Sequence, residues 1–210
     1  MTRVLGNIGW LIMAMLAVLV TVLAAPYFWL SPASAAPPPL LEAVMQRHTL
    51  FLFHIGGGMI ALVVGAWNFL ERSRERFLNL HRWLGRLYIV SVFTAGLAGF
   101  SLSFTAQGGL TARIGFAMLA FLWVATAALA YVRIRAYDIE SHRRWMIRNY
   151  SLTFAAVTLR LWLPFLMIAG NDFSVVYPTV AWLAWVPNLI IAEIIANKIV
   201  PNRQLVGSNT

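Results

Sequence analysis

A chain of 210 residues that is 60% hydrophobic and only 11% charged is not an ordinary soluble domain, in which roughly 25% of residues carry charge; a bilayer has to solvate most of its apolar surface. The net charge of +9 would suggest nucleic acid in a soluble protein, but here the basic residues fall in short runs between apolar stretches, the pattern that orients a membrane protein. There is no cysteine, which excludes disulfides, thiolate metal sites and cysteine nucleophiles.

A membrane-crossing helix needs about 20 mostly apolar residues. Such stretches lie at 6–30, 47–70, 84–106, 111–133, 147–170 and 178–198. They predict an all-α, polytopic transmembrane helical bundle of six spans, with residues 1–210 as a single transmembrane domain. The connections are short, so neighbouring spans should pack antiparallel.

The first stretch follows Arg3, and Ala33-Ser34-Ala35 resembles a signal-peptidase site. The core of a signal peptide is about 7–15 residues. Gly6 to Leu30 is longer, is broken only by Pro26 and ends in Tyr27, Phe28 and Trp29, so it reads as a retained anchor helix. Ser31 to Leu40, rich in proline and alanine, reads as an extended external loop.

The second stretch carries His48 and His54, then Gly56-Gly57-Gly58. Six residues rotate a helix so that the two imidazoles project about 120° apart, which prevents them from sharing one ligand. Each glycine costs a helix about 1 kcal/mol relative to alanine, so the run needs a compensating reason. Close packing of another helix is the plainer one; approach of a flat ligand is the alternative.

Runs of arginine flank the third and fifth stretches: Arg72, Arg74, Arg76, Arg82 and Arg86 in one, Arg133, Arg135, Arg143, Arg144 and Arg148 in the other. With six spans, Arg3, Lys198 and Arg203 join them on one side, leaving Arg47, Arg113 and Arg160 elsewhere. The basic side is therefore expected in the cytoplasm, with both termini. Trp67, Trp83, Tyr131 and Trp145 suit the inner interface; Tyr27, Trp29 and Tyr177 suit the outer one.

Two of these segments echo each other. His81-Arg82-Trp83-Leu84-Gly85-Arg86-Leu87-Tyr88 and His142-Arg143-Arg144-Trp145-Met146-Ile147-Arg148-Asn149-Tyr150 share the spacing Trp-x-x-Arg-x-Tyr, each with a histidine just upstream. Together with His54 and its glycine run, Thr158-Leu159-Arg160, and Trp185-x-x-Asn188 with Glu193, they resemble the bacterial domain-of-unknown-function family 2306, over most of residues 50–195. The resemblance implies a multi-pass protein of the bacterial cytoplasmic (inner) membrane and brings no established activity.

Ionisable groups within a bilayer cost about 2.5–3.5 kcal/mol at its centre on insertion scales, so each requires a reason. Arg160 lies roughly 20 Å from the expected start of the fifth span, in the outer half of the membrane and beyond snorkelling reach of the cytoplasm. It reads either as an arginine bonded to backbone carbonyls or as a clamp for an anion. His54 falls near the same depth, so the two are expected to share one outer polar cavity. Glu193, one to two turns from the end of the sixth span, is expected to pair with Arg86 or Arg148, a proton relay being the alternative.

His81 and His142 match in depth on the basic side. As headgroup anchors they would sit beside their tryptophans. As an axial pair they would ligate the iron of a haem b, with Arg86 and Arg148 near its propionates. The sequence thus poses three functions. One is a small b-type haem redox protein, exchanging electrons with a membrane partner or quinone. The second is a transporter or small-ligand binding protein, with Arg160 and His54 lining the cavity and Glu193 an inner gate. The third is a non-catalytic scaffold subunit. No phosphate loop, Rossmann glycine motif, His-Glu-x-x-His or nucleophile elbow is present, and no catalytic residue is assigned.

Overall fold

The computed structural model describes residues 2–70 and 75–199. Six of its helices are long and apolar enough to cross a membrane: Ile8–Phe28, His48–Asn68, Leu78–Ser103, Gly109–Arg135, Ile139–Ile168 and Phe173–Lys198. These are spans one to six. Among the described residues there is no strand. The chain is an all-α multi-pass membrane protein, and large apolar side chains such as Leu19, Val90, Phe121 and Ile190 stand exposed around it where lipid would contact them. Arg72, Arg74 and Arg203 lie outside the described residues.

Spans three and five begin at Leu78 and Ile139, well before the apolar stretches at 84 and 147. Hydropathy marks where a helix enters hydrocarbon, not where it starts. The fifth span starts at a cap: the Asp138 carboxylate accepts the backbone N–H of Ser141 at 3.0 Å, which holds that carboxyl below its usual range. The loop expected to be extended over Ser31–Leu40 is instead a series of short turns, Pro32–Ala35 and Pro38–Leu40, followed by the helix Leu41–Gln46. The cause is proline at the first helical position, where its fixed φ starts a turn and its missing N–H costs nothing.

Helices in a bilayer gain little from the hydrophobic effect between themselves and associate through close backbone approach. The core reflects this. Ala61, Ala95, Ala127, Ala130 and Ala196 are buried at the helix crossings. At Gly57 an added Cβ would lie 2.7 Å from the Ser91 carbonyl and 2.9 Å from the Ala95 Cβ. The middle glycine of the run therefore lets spans two and three touch, as the plainer reading of that run expects. Gly56 faces the Phe28 ring at 3.2 Å, and Gly58 faces open space.

The last two spans each carry one irregular turn in the middle, a break in α-helical regularity through which the chain stays helical at Phe154 and Ala184. Span five consists of Ile139–Thr153 and Ala155–Ile168, and span six of Phe173–Leu183 and Val186–Ile199. One side chain bridges both breaks: the Asn188 amide reaches the Ser151 carbonyl at 3.3 Å, the Thr158 hydroxyl at 3.0 Å and the Ala184 carbonyl at 3.0 Å. Thr158 in turn donates to the Ala184 carbonyl.

Candidate functional site

The arginine-poor half of the bundle holds Arg160, His54 and Tyr27. Arg160 stands on the second segment of span five, Ala155–Ile168, half-buried. One terminal nitrogen donates to the Ala156 carbonyl of its own helix at 2.9 Å. Among the described residues no carboxylate pairs with it. Tyr27 and His54 are titratable side chains within electrostatic range of it. Pro164, four residues on within the same helix, has no N–H, so the Arg160 carbonyl lacks its helical donor.

His54 projects toward span three. Its Nδ1 donates to the Ala95 carbonyl at 2.9 Å. A carbonyl can only accept, so Nδ1 carries the proton and Nε2 is the acceptor of the neutral ring. Gly99 makes room for the imidazole, since a Cβ there would lie 2.7 Å from Nδ1. Tyr27 ends the first span and packs edge-on against Phe51, ring centres 5.1 Å apart. The three side chains thus come from spans one, two and five. Tyr27, placed by the sequence at the outer interface, is the member that sequence reasoning did not count.

At the arginine-rich end, His81 and His142 are each the fourth residue of their helices, Leu78–Ser103 and Ile139–Thr153. The His142 Nδ1 donates to the Ala130 carbonyl of span four at 2.8 Å, leaving Nε2 as acceptor. Glu193 has its ion partner in Arg148, held in a fork with Nε to Oε2 at 2.6 Å and a terminal nitrogen to Oε1 at 2.8 Å. This is the structural pair expected of Glu193, and it engages the arginine that a haem propionate would need. Arg86 instead lies exposed over the Trp83 ring, 5.2 Å from its centre. Among the described residues no three His, Asp or Glu side chains gather to hold a metal ion.

The echo between the two segments is structural. Arg148 stacks over Trp145 at 4.8 Å as Arg86 does over Trp83, and the closing tyrosines, Tyr88 and Tyr150, are both buried. Both rings converge on Gly65 of span two, where an added Cβ would overlap Tyr150 and lie 2.8 Å from Tyr88.

Around Tyr88 runs a closed polar network that sequence reasoning missed. The Trp123 indole donates to the Thr153 hydroxyl at 2.8 Å. Thr153 lies 2.8 Å from the Tyr88 hydroxyl, which donates to the Asn149 side-chain carbonyl at 2.6 Å. The Asn149 amide donates to the Trp123 carbonyl and the Thr126 hydroxyl, both at 2.7 Å. Thr126 passes its proton to the Leu122 carbonyl at 2.7 Å. Every proton has an acceptor, the Thr153 hydroxyl reaching the Asn149 backbone carbonyl at 3.1 Å as well, so the network locks spans three, four and five. Tyr150 ties span two to them through the Leu62 carbonyl at 3.0 Å. The signal was present in the tyrosines that close the two echoing segments.

Six helices long and apolar enough to cross a membrane, joined through a buried polar lock, define a polytopic helical membrane protein. The chain belongs to a family described as predicted membrane protein, domain of unknown function 2306 (DUF2306), whose model matches residues 51–196. No curated protein and no solved structure matches it.

Proposed function

We propose that this protein binds or transports a small anionic ligand at a site centred on Arg160, with His54 and Tyr27 beside it, in the outer half of a bacterial inner membrane and with both termini cytoplasmic. The observation that carries this reading is a guanidinium inside a membrane span with no acidic partner among the described residues. An isolated cation at that depth is costly, and such groups mark ligand and ion paths. A ligand carboxylate or phosphate would supply the missing charge, in the forked geometry that arginine favours. Thermal melting of the purified protein across a panel of carboxylates and phosphates tests it. At least one anion should raise the midpoint of the wild type and leave Arg160→Gln unmoved. Equal shifts in both proteins would end the proposal.

A second reading, b-type haem between His81 and His142, keeps one supporting observation. His81 lies seven residues before Tyr88 and His142 seven before Asn149, two helical turns in each case, and Tyr88 and Asn149 meet. That contact two turns on supports two imidazoles on neighbouring helices, although the His142 ring is itself bonded to the Ala130 carbonyl of span four. The engagement of Arg148 by Glu193 weighs against it. An absorption spectrum of protein from haem-replete cells decides: a Soret band lost in both His81→Ala and His142→Ala would put the redox reading ahead.

A further inference from the structure

We infer that the anion taken by Arg160 is the headgroup of an amphiphile, an acidic group on a long apolar tail, which reaches the site sideways from the lipid between span one and the outer segment of span five. The inference rests on the anion site proposed above and adds what kind of anion fills it.

The first span packs against Ala155–Ile168, the segment that carries Arg160. Beside Arg160, the outer surface of that segment is apolar and uncovered: Leu161 is 53% exposed and Phe165 62%. The end of span one, the helix packed on this segment, presents Phe28 at 48% and Trp29 at 68% exposure. Tyr27 precedes Phe28 in the chain and lies within electrostatic range of Arg160. A polar centre thus lies directly beside aromatic surface that meets lipid. A water-soluble anion would have to shed its hydration and cross apolar ground to reach this guanidinium. An amphiphile already lies in that layer, and its tail would cover Phe28, Trp29, Leu161 and Phe165 while its head met Arg160. The carbonyl of Arg160, left without a helical donor by Pro164, offers an acceptor beside the cation. One residue can therefore meet both the anionic oxygen and a hydroxyl of a protonated or hydroxylated headgroup.

The full-length protein, purified in an uncharged maltoside detergent, is melted with palmitate, acetate or hexadecanol. Palmitate should raise the midpoint, while acetate and hexadecanol leave it in place. Arg160→Gln should weaken palmitate about tenfold to a hundredfold, the worth of a charge-assisted hydrogen bond. Acetate acting as well as palmitate would overturn the amphiphile and leave the anion site standing. Hexadecanol acting as well would reduce the effect to adsorption on apolar surface and overturn the inference. Silence from every anion, in this assay and across the wider panel, would remove the anion site itself. Should Arg160→Gln fail to fold, photo-crosslinking of the wild type with a diazirine palmitate decides: label on residues 25–30 and 155–168 supports the inference, and label elsewhere overturns it.

Discussion

Tyr88 gives its hydroxyl proton to the side-chain carbonyl of Asn149 across 2.6 Å, in a place where both residues are fully buried. Span three is thereby joined to span five through the middle of the bundle, with Trp123 and Thr126 of span four closing the network around them. Removing the hydroxyl leaves Asn149 with an unmet acceptor. Tyr88→Phe should lower stability by about 1–3 kcal/mol, read as a fall in the melting midpoint in detergent. The same change at exposed Tyr131 should do nothing. If the two variants melt alike, the network contributes no more than packing.

Two glycines of span two give opposite expectations. Gly65→Ala would drive a methyl into the rings of Tyr88 and Tyr150, an overpacking cost of about 1–3 kcal/mol. Gly58→Ala meets nothing within 4 Å and replaces the poorer helix former, so it should be neutral or stabilising by up to about 1 kcal/mol. A thermal melt of each variant checks both signs.

The fork between Arg148 and Glu193 predicts a reciprocal effect. The carboxylate side chain is 48% exposed and the arginine 17%, so water screens the pair and its coupling should be only about 1 kcal/mol. Arg148→Glu and Glu193→Arg should each destabilise, and the double exchange should recover part of the loss. Additive losses in a double-mutant cycle would show that the two charges do not act as a pair.

Orientation has its own test. Reporter fusions after Leu40, Gly109 and Asn171 should read as external, and those after Arg74 and Tyr137 as cytoplasmic, as the arginine distribution requires. A cytoplasmic signal at Gly109 would invert the expected sidedness and move Arg160 to the inner half.

How far the sequence discloses this protein depends on which force shapes each part. The six spans are legible because hydrocarbon thickness demands long apolar runs. The early starts of spans three and five are not, since polar first turns such as Ile139–Met146 carry no hydropathy signal. Nor is the break at Phe154, which no proline announces. Trp83 and Tyr131 were readable as interface residues and are exposed. Tyr88, Trp123 and Tyr150 share their chemistry but are buried, and only the helix packing separates the two groups. Spacing alone leads to the expectation that Arg160 and His54 share a depth. That Tyr27 joins them depends on how the end of span one folds back over span two.

The first segment of span five also constrains how the protein is made. Within Ile139–Thr153 stand Glu140, His142, Arg143, Arg144, Arg148 and Asn149. The apolar remainder, Ala155–Ile168, is 14 residues long, or about 21 Å of helix against a hydrocarbon core of about 30 Å. Alone, this span is a poor substrate for insertion. Its arginine meets its carboxylate only after 45 further residues have been synthesised, a delay of about 2–9 seconds at ordinary translation rates. Over that interval the fifth span must wait at the membrane surface or lean on spans three and four, so the closing ion pair belongs to the last step of assembly, when span six arrives.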